Sequence, residues 1–177
     1  MDADRAGHEV LKLPEVEQAA RDRWGDEIFG PDGHVVRSKL AGIVFAPTEP
    51  GRADLQFLER LTHSKIGARL EGEISELEHA GGVPLVVLDA AVLLKGGWNR
   101  LCDKIVYVEA PREARLERAL GRGWTREEFV RREAAQEPLE LKRKLADVVL
   151  DNSGSPDRAR AEVERVWQQL MALPPPE

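Results

Sequence analysis

The stretch QEPLELKRKLADVVLDNSGS, residues 136–155, is the most informative part of the chain. It joins a segment with three consecutive cations, Lys142 to Lys144, to a short apolar run at Val148–Leu150. That run stops at the polar residues Asp151–Gly154, and Ser155-Pro156 then favours the start of a closing helix. An apolar run too short for a helix is typical of a parallel strand buried on both faces. The stretch therefore predicts a helix, a strand, a loop at the carboxyl end of that strand, and a further helix.

Two more short apolar runs precede this stretch. Val83–Leu88 and Ile105–Val108 are each too short for a helix and are separated by segments with other patterns. Strands that alternate with helices predict an α/β fold, with a parallel sheet and crossover helices. Ligands of such sheets bind beyond the carboxyl ends of the strands. We therefore expect the chemistry near residues 89–97 and 152–155, although Lys95–Gly97 looks like an ordinary loop with backbone freedom.

The first eighty residues have a helical pattern instead. Apolar residues recur at helical intervals in Pro14–Phe29, and a long apolar stripe covers residues 55–77. Between them, Ala46–Arg52 contains two prolines and a glycine and predicts a loop, after which Asp54 could cap the long helix. We expect a mainly helical region over residues 1–82, an α/β core over residues 83–173 and a disordered tail at residues 174–177.

The composition excludes several classes of protein. The net charge of −6 argues against a general nucleic-acid binder, whose surface would be basic. The chain has no apolar run of the roughly 20 residues that span a bilayer, and its N-terminus lacks a signal-peptide core, so a cytoplasmic protein is the default. The single cysteine, Cys102, allows no internal disulfide, and the four histidines have no metal-ligand spacing. We expect no protein-bound metal, no nucleic-acid partner and no membrane association.

Cations are densest between the second and third predicted strands. Arginine suits forked contacts with phosphate oxygens, but glutamates in the same segment could pair with these cations on a solvated helix face. Both interpretations stay open, with Arg122, beside a glycine at a helix end, as the best phosphate candidate. The segment contains Arg112, Arg115, Arg118, Arg122, Arg126, Arg131, Arg132, Lys142, Arg143 and Lys144.

Three other positions have two interpretations each. Asp2 and Asp4 could place a carboxylate that accepts a proton from a hydroxyl nucleophile, or could be an acidic frayed end. His63 follows part of the apolar stripe and is either structural or part of a binding site. Asp89 closes a predicted strand and could cap a turn, hold a ribose or bind a metal-bound water.

No phosphate-binding glycine loop (P-loop) occurs in the 177 residues. That motif, G-x-x-x-x-G-K-[ST], needs two glycines five apart and then a lysine and a hydroxyl. Gly25 and Gly30 have the glycine spacing but are followed by Pro31-Asp32, and Gly67 and Gly72 are followed by Glu73-Ile74. Both matches are coincidental.

The order and spacing of many short matches resemble bacterial dephospho-CoA kinases over nearly the whole chain. The matching residues are Asp2-Ala3-Asp4, Asp32-Gly33, Arg37, Leu40, Val44-Phe45, Leu61-Thr62-His63, Ile66, Val86–Leu94, Asp103–Val108, Arg118–Arg122, Gln136, Lys142-Arg143, Ala146-Asp147 and Asp151–Gly154. The resemblance implies a P-loop kinase-like fold with a helical CoA-binding region and a lid at about residues 112–144. It implies transfer of the ATP γ-phosphate to the ribose 3′-hydroxyl of dephospho-CoA, the last step of coenzyme A synthesis, with Mg²⁺ accompanying ATP.

The resemblance also implies a role for individual residues. Asp4 matches the proposed general base, and Arg122 matches the lid arginine that faces the ATP phosphates. The residues implied to contact the acceptor are Asp2, Arg37, His63, Asp89 and Leu93. Those implied to contact ATP are Arg118, Arg143, Asn152, Ser153 and Gly154.

The chain departs from the family pattern in four places. Ser64 and Ala91 replace common prolines, and Lys95 stands where glutamate is frequent. The larger departure is that family members have, before the paired aspartates, a strand, the P-loop, its helix and another strand. We expect the first strand and the P-loop to be absent here and the 177-residue chain not to turn over. A truncated chain or a misassigned start would explain the missing P-loop. The alternative explanation is a degenerate homologue with a CoA-binding or scaffolding role. A rival function is that of another small-molecule kinase of the same fold, such as one acting on a nucleoside monophosphate.

Overall fold

Helices form most of the first of two units, residues 1–98. In the computed structural model, which describes residues 1–172, helix α1 covers Ala3–Val10 and α2 covers Pro14–Trp24. Helix α3 covers Arg37–Val44, and the long α4 covers Glu49–Ala80. Short 3₁₀ turns lie at Asp26–Ile28 and Trp98–Leu101. The tail predicted at residues 174–177 lies outside the described residues.

Local sequence signals set the ends of these helices. Gly25 adopts φ 72° after α2, a left-handed conformation that glycine reaches at little cost, so the helix stops before the predicted Phe29. Helix α4 begins inside the predicted loop at residues 46–52, because Thr48 accepts a hydrogen bond from the Gly51 amide and a proline is tolerated in the first turn. The predicted cap, Asp54, is instead a buried residue within α4 that accepts a hydrogen bond from Arg23 Nε at 2.8 Å.

The core of this unit is mostly aliphatic, includes Phe29, and lies where α2, α3 and α4 meet. Leu55 and Leu58 of α4 pack against a buried cluster made of Ala20, Ile28, Phe29, Leu40 and Val44. Helix α1 packs on the middle of α4, where Gly7 faces Ile66. The predicted helical character of the first eighty residues therefore agrees with the structure.

Val83–Leu88 does not form the predicted buried strand. Val87 is 64% exposed and Val83 is 45% exposed. The main chain pairs only where it meets the N-terminus, through a parallel bridge between Asp2 and Asp89 and a 3.0 Å hydrogen bond from the Ala3 amide to the Asp89 carbonyl. A strand requires a hydrogen-bonded neighbour along its length, and within residues 1–172 this run has one only at its carboxyl end.

The second unit begins at Asn99 and contains a parallel sheet. Strands β1 (Val106–Glu109) and β2 (Val148–Asp151) pair in register from Val106 with Val148 to Glu109 with Asp151. Three helices connect them, and a fourth follows β2. Their bounds are α5, Arg112–Gly121; α6, Arg126–Ala134; α7, Leu139–Leu145; and α8, Pro156–Met171.

Capping chemistry and a small core stabilise these helices. A capping box forms at the start of α6, where Thr125 and Glu128 satisfy each other's backbone amides. Leu116, Ala119 and Phe129 form a buried cluster between α5 and α6. The second and third predicted strands and the crossover helices between them are confirmed.

No helix of residues 1–172 is long and apolar enough to cross a bilayer.

Candidate functional site

The loop after β2 is held by hydrogen bonds from both sides. The Asn152 amide donates to the Glu109 carbonyl at 2.8 Å, which continues the β1–β2 pairing. The Asp151 carboxylate accepts from the Ser153 amide at 2.9 Å, and hydrogen bonds from Ser153 hold the pKa of that carboxyl below its usual value. Ser155 then caps α8. This geometry positions residues 152–154 at the carboxyl end of the sheet, where parallel sheets bind ligands.

Two arginines at the end of α5 join this loop. Arg118 Nη2 donates to the Asn152 carbonyl at 2.9 Å, and Arg122 is the C-cap of α5. Together with Asn152 and Gly154 they line a cleft of about 670 Å³, which we call the arginine cleft. Its other wall comes from α8, through Pro156, Ala159, Arg160, Val163 and Glu164. Four residues that the resemblance assigns to ATP, Arg118, Arg122, Asn152 and Gly154, therefore lie around one cleft. Ser153 belongs to the same loop as Asn152 and Gly154.

The arginine cleft combines cationic and apolar surface. Arg118, Arg122 and Arg160 contribute guanidinium groups, and the N-terminus of α8 adds a partial positive charge. Val163 is 55% exposed, which provides apolar surface beside them. A ligand with an anionic part and a flat apolar part matches this arrangement, because guanidinium groups bind phosphate oxygens in forked geometry.

The α8 wall was missed by sequence reasoning. A signal exists, because Ala159 and Val163, and likewise Arg160 and Glu164, are four residues apart and so share a helix face. The pattern alone did not distinguish a face toward a cleft from an ordinary surface face.

Arg143 lies apart from the cleft lining. Its guanidinium pairs with Glu109, and this hydrogen bond raises the pKa of Arg143. Other arginines of the cationic segment form a structural cluster, in which Arg112 Nε and Arg115 Nη1 lie 2.9 and 2.6 Å from the Glu133 carboxylate. Arg112 and Arg115 are thus paired with a carboxylate, although between two helices and not along one helix face, whereas Arg118 and Arg122 line the cleft.

In the first unit, the paired aspartates begin an ordered helix. Asp2 is the N-cap of α1, accepting from the Arg5 amide at 3.0 Å, and this hydrogen bond lowers the pKa of its carboxyl. Asp4 is exposed in the first turn of α1. The alternative of a frayed end is wrong, because the backbone beside Asp2 is paired with Asp89. Nearby in the same unit, Arg37 at the start of α3 contacts the imidazole of His8.

His63 lines a second, smaller cleft of about 510 Å³, formed by α4 and residues 94–97. Its carbonyl accepts a 3.2 Å hydrogen bond from Trp98 Nε1, and the two rings meet edge to face at 5.5 Å. Lys95 Nζ lies 2.5 Å from Glu59, so the charge at Lys95 is balanced locally. Leu93 is outside this lining and makes backbone hydrogen bonds to Ala90 and Trp98. The other lining residues are Gln56, Arg60, Ser64, Leu94, Gly96 and Gly97.

The described residues offer no preformed metal cage. Among residues 1–172, no three His, Cys, Asp or Glu side chains group closely enough to hold a metal ion. Cys102 is partly buried, and this burial raises the pKa of its thiol.

A parallel α/β unit with an arginine cleft beyond its strand ends is the arrangement of a nucleotide-binding protein. The dephospho-CoA kinase family model matches residues 1–157, so the chain belongs to the dephospho-CoA kinase family, a family of phosphotransferases that acts in coenzyme A biosynthesis. It is 36% identical over 171 residues to a dephospho-CoA kinase from Carboxydothermus hydrogenoformans, covering 96% of this chain and 81% of the relative. It is 35% identical over 176 residues to one from Aquifex aeolicus, covering 98% and 86%.

Solved structures show a similar fold. A protein from Thermus thermophilus superposes with a TM-score of 0.73 at 31% identity, over 96% of this chain and 83% of the other. A dephospho-CoA kinase from Campylobacter jejuni superposes with a TM-score of 0.65 at 23% identity, over the same shares of the two chains, which shows a common fold. The α/β fold with a small parallel sheet and many helices is thus shared with this family.

Proposed function

We propose that the chain has the P-loop kinase type of fold and carries the residues for transfer of the ATP γ-phosphate to the ribose 3′-hydroxyl of dephospho-CoA. The observation that supports this best is the arginine cleft, because Arg118, Arg122 and the loop after β2 lie together there. Phosphoryl transfer depends mainly on positioning and electrostatic stabilisation of the transferring group. A cleft lined by guanidinium groups supplies both.

The nucleotide is proposed to bind with its base beside residues 152–154. Arg118 holds the Asn152 carbonyl, which keeps this loop close to the end of α5. Arg122 is assigned to the phosphates, where a guanidinium would stabilise negative charge that develops during transfer. Arg143, whose guanidinium pairs with Glu109 at the end of β1, is proposed as a further ATP contact. Mg²⁺ would arrive with ATP, since this ion usually keeps several waters and binds through substrate phosphates.

The acceptor is assigned to the first unit. Asp4 is the proposed general base, and its exposure in the first turn of α1 leaves the carboxylate accessible to a hydroxyl. Asp2 fixes the start of that helix and so restricts where Asp4 can lie. His63 is proposed to contact the acceptor from the second cleft, and the remaining acceptor contacts are Arg37, Asp89 and Leu93.

Separate binding measurements test the two assignments without requiring turnover. Isothermal titration of the 177-residue chain with ATP and with dephospho-CoA should give binding of each. Arg118→Met should weaken ATP binding about tenfold, as expected for loss of a charged hydrogen bond, and leave dephospho-CoA binding unchanged. His63→Ala should weaken dephospho-CoA binding and leave ATP binding unchanged. If Arg118→Met weakens dephospho-CoA binding instead, the assignment of the arginine cleft to ATP is wrong.

Catalysis and acceptor choice need a second assay. In a version of the protein that includes a P-loop, coupled ADP release should be faster with dephospho-CoA than with any nucleoside monophosphate. Asp4→Asn should remove most of this turnover while ATP affinity stays nearly unchanged, because the base acts only on the acceptor hydroxyl. Full turnover of Asp4→Asn would exclude Asp4 as the base, and a preference for a monophosphate would favour a different small-molecule kinase.

A further inference from the structure

Arg158, on the first turn of α8, contacts both ends of the loop after β2. Its Nη2 donates to Asp151 Oδ2 at 3.1 Å. The other oxygen of that carboxylate accepts from the Ser153 amide at 2.9 Å. A single carboxylate therefore links the guanidinium of α8 to the backbone of the loop, while Arg118 contacts the same loop at the Asn152 carbonyl.

The aliphatic stem of Arg158 lies against Gly154. A Cβ atom added to Gly154 would sit 2.6 Å from Arg158 Cδ and 3.3 Å from its Cβ and Cγ. Contacts below 3.0 Å essentially do not occur for real Cβ atoms. Gly154 is outside the set of glycines with positive φ, so its backbone is open to other residues. A residue larger than glycine at this position would therefore have to displace the stem of Arg158, whereas the backbone conformation sets no such limit.

We propose that Arg158 is a positioning residue for the nucleotide, because it fixes residues 151–154 in the conformation that lines the arginine cleft. This inference rests on the proposed function, since it takes ATP as the ligand of that cleft. Among residues 1–172, Arg158 is outside the cleft lining, whereas Asn152 and Gly154 are part of it. Arg158 therefore acts through the loop and does not touch the nucleotide itself.

Preorganisation of the loop determines how strongly replacement of Arg158 should weaken ATP binding. Ordering a side chain or loop on binding opposes affinity, and a loop that is already ordered avoids this cost. The Arg158 side chain is 65% exposed, and exposed ion pairs add little to folding stability. Replacement of Arg158 should therefore weaken ATP binding about three- to tenfold while the melting temperature stays nearly constant.

A titration of the 177-residue chain with ATP, followed by heteronuclear NMR, tests the inference. Arg158→Met keeps the stem and removes the guanidinium, so it should weaken ATP binding and shift the Ser153 amide resonance. Arg158→Lys retains a cation and should bind more like the wild type. The matched control is Arg52→Met, since the Arg52 side chain is also 65% exposed and its Nε lies 3.1 Å from Glu49.

A double-mutant cycle tests the contact with Gly154. Gly154→Ala should weaken ATP binding several-fold in the wild-type background, because the new methyl group displaces the Arg158 stem. In an Arg158→Ala background the same change should have little further effect, because the colliding stem is gone.

Four outcomes would overturn the inference. Unchanged ATP affinity in Arg158→Met, or an equal loss in Arg52→Met, would show that the pair does not position the loop. An equal effect of Gly154→Ala in both backgrounds would show that the stem does not restrict Gly154. If the wild type binds no ATP, the assignment of the cleft fails and the inference fails with it, whereas normal wild-type binding with unaffected variants removes the inference alone.

Discussion

Gly96→Ala should destabilise the first unit, because the Gly96 backbone lies against the ring of Trp98. A Cβ atom at Gly96 would sit 2.6 Å from Trp98 Cε2 and 2.7 Å from Cδ2. Trp98 is only 2% exposed, so its ring has little space to retreat. The ring also donates the 3.2 Å hydrogen bond to the His63 carbonyl. A displaced ring would disturb the backbone of α4 at the wall of the second cleft.

The size of the effect follows from these contacts. Overpacking a well-packed site costs about 1–3 kcal/mol, and loss of the Trp98 hydrogen bond adds about 0.5–1.5 kcal/mol. The free energy of unfolding should therefore fall by about 1.5–4.5 kcal/mol. Small domains are typically stable by only about 5–15 kcal/mol, so a change of this size is easy to measure. Affinity for dephospho-CoA should fall as well if His63 contacts the acceptor.

Urea unfolding followed by circular dichroism provides the measurement, and Gly72→Ala is the matched control. Gly72 lies within α4, and no heavy atom of the described chain comes within 4 Å of an added Cβ, beyond its own neighbours in the helix. Alanine there should raise stability by about 0.5–1 kcal/mol, because glycine is the poorer helix former. The two alanine substitutions should thus have opposite signs. A Gly96→Ala protein as stable as the wild type would refute the argument, since it would mean that residues 94–97 accommodate the methyl group without cost.

Two further predictions concern ion pairs of the first unit. Lys95→Glu should lower stability because it places a carboxylate beside Glu59, and adding Glu59→Lys should restore it. A double variant no more stable than Lys95→Glu would contradict the pairing. Glu17 accepts a hydrogen bond from His34 and raises the pKa of that imidazole above its ordinary 6.5. The stabilisation from this pair should therefore be complete below pH 6.5 and be lost as the pH rises through the raised pKa. An NMR titration should show that Glu17→Gln lowers the pKa of His34, and an unchanged pKa would exclude the contact.

Helix positions in this chain follow from short-range signals, which is why they could be predicted. The start of α8 at Ser155-Pro156 depends on residues within one turn, and it is present in the structure. Asp54 shows where such reasoning fails. Its side chain type suits a cap, but burial beside Arg23, 31 positions away in the chain, gives it a different role. The spacing of residues along the sequence does not indicate this contact between Arg23 and Asp54.

Strand predictions depended on neighbours that periodicity cannot identify. Val148–Leu150 and Val83–Leu88 have the same apolar character, yet only the first is paired along its length. Val108 in β1 is 53% exposed, so even a paired strand need not be buried on both faces. An apolar run indicates a tendency to be covered, and the partner that would cover it must be found in three dimensions.

The cationic segment shows how much of the site could be anticipated. Arginine content alone left both a phosphate site and a solvated helix face open, and in the structure Arg112 and Arg115 pair with a carboxylate whereas Arg118 and Arg122 line a cleft. The Glu133 carboxylate that binds Arg112 and Arg115 comes from α6, so this pairing is not the expected contact within one helix. Whether an arginine faces a carboxylate or a cleft is decided by the packing of α5 against its neighbours.

Glycines at both clefts also depend on packing that the sequence does not show. Gly97 adopts φ 70° and has the backbone freedom that its sequence context predicts, whereas Gly96 and Gly154 are required by side chains that pack against them. For Gly96 that side chain is Trp98, two residues away, and for Gly154 it is Arg158, one helical turn away. A substitution at either glycine therefore reports on its neighbour, because the added methyl group occupies space that the neighbouring side chain already fills. This coupling makes the Gly154 and Arg158 double-mutant cycle more decisive than either single variant.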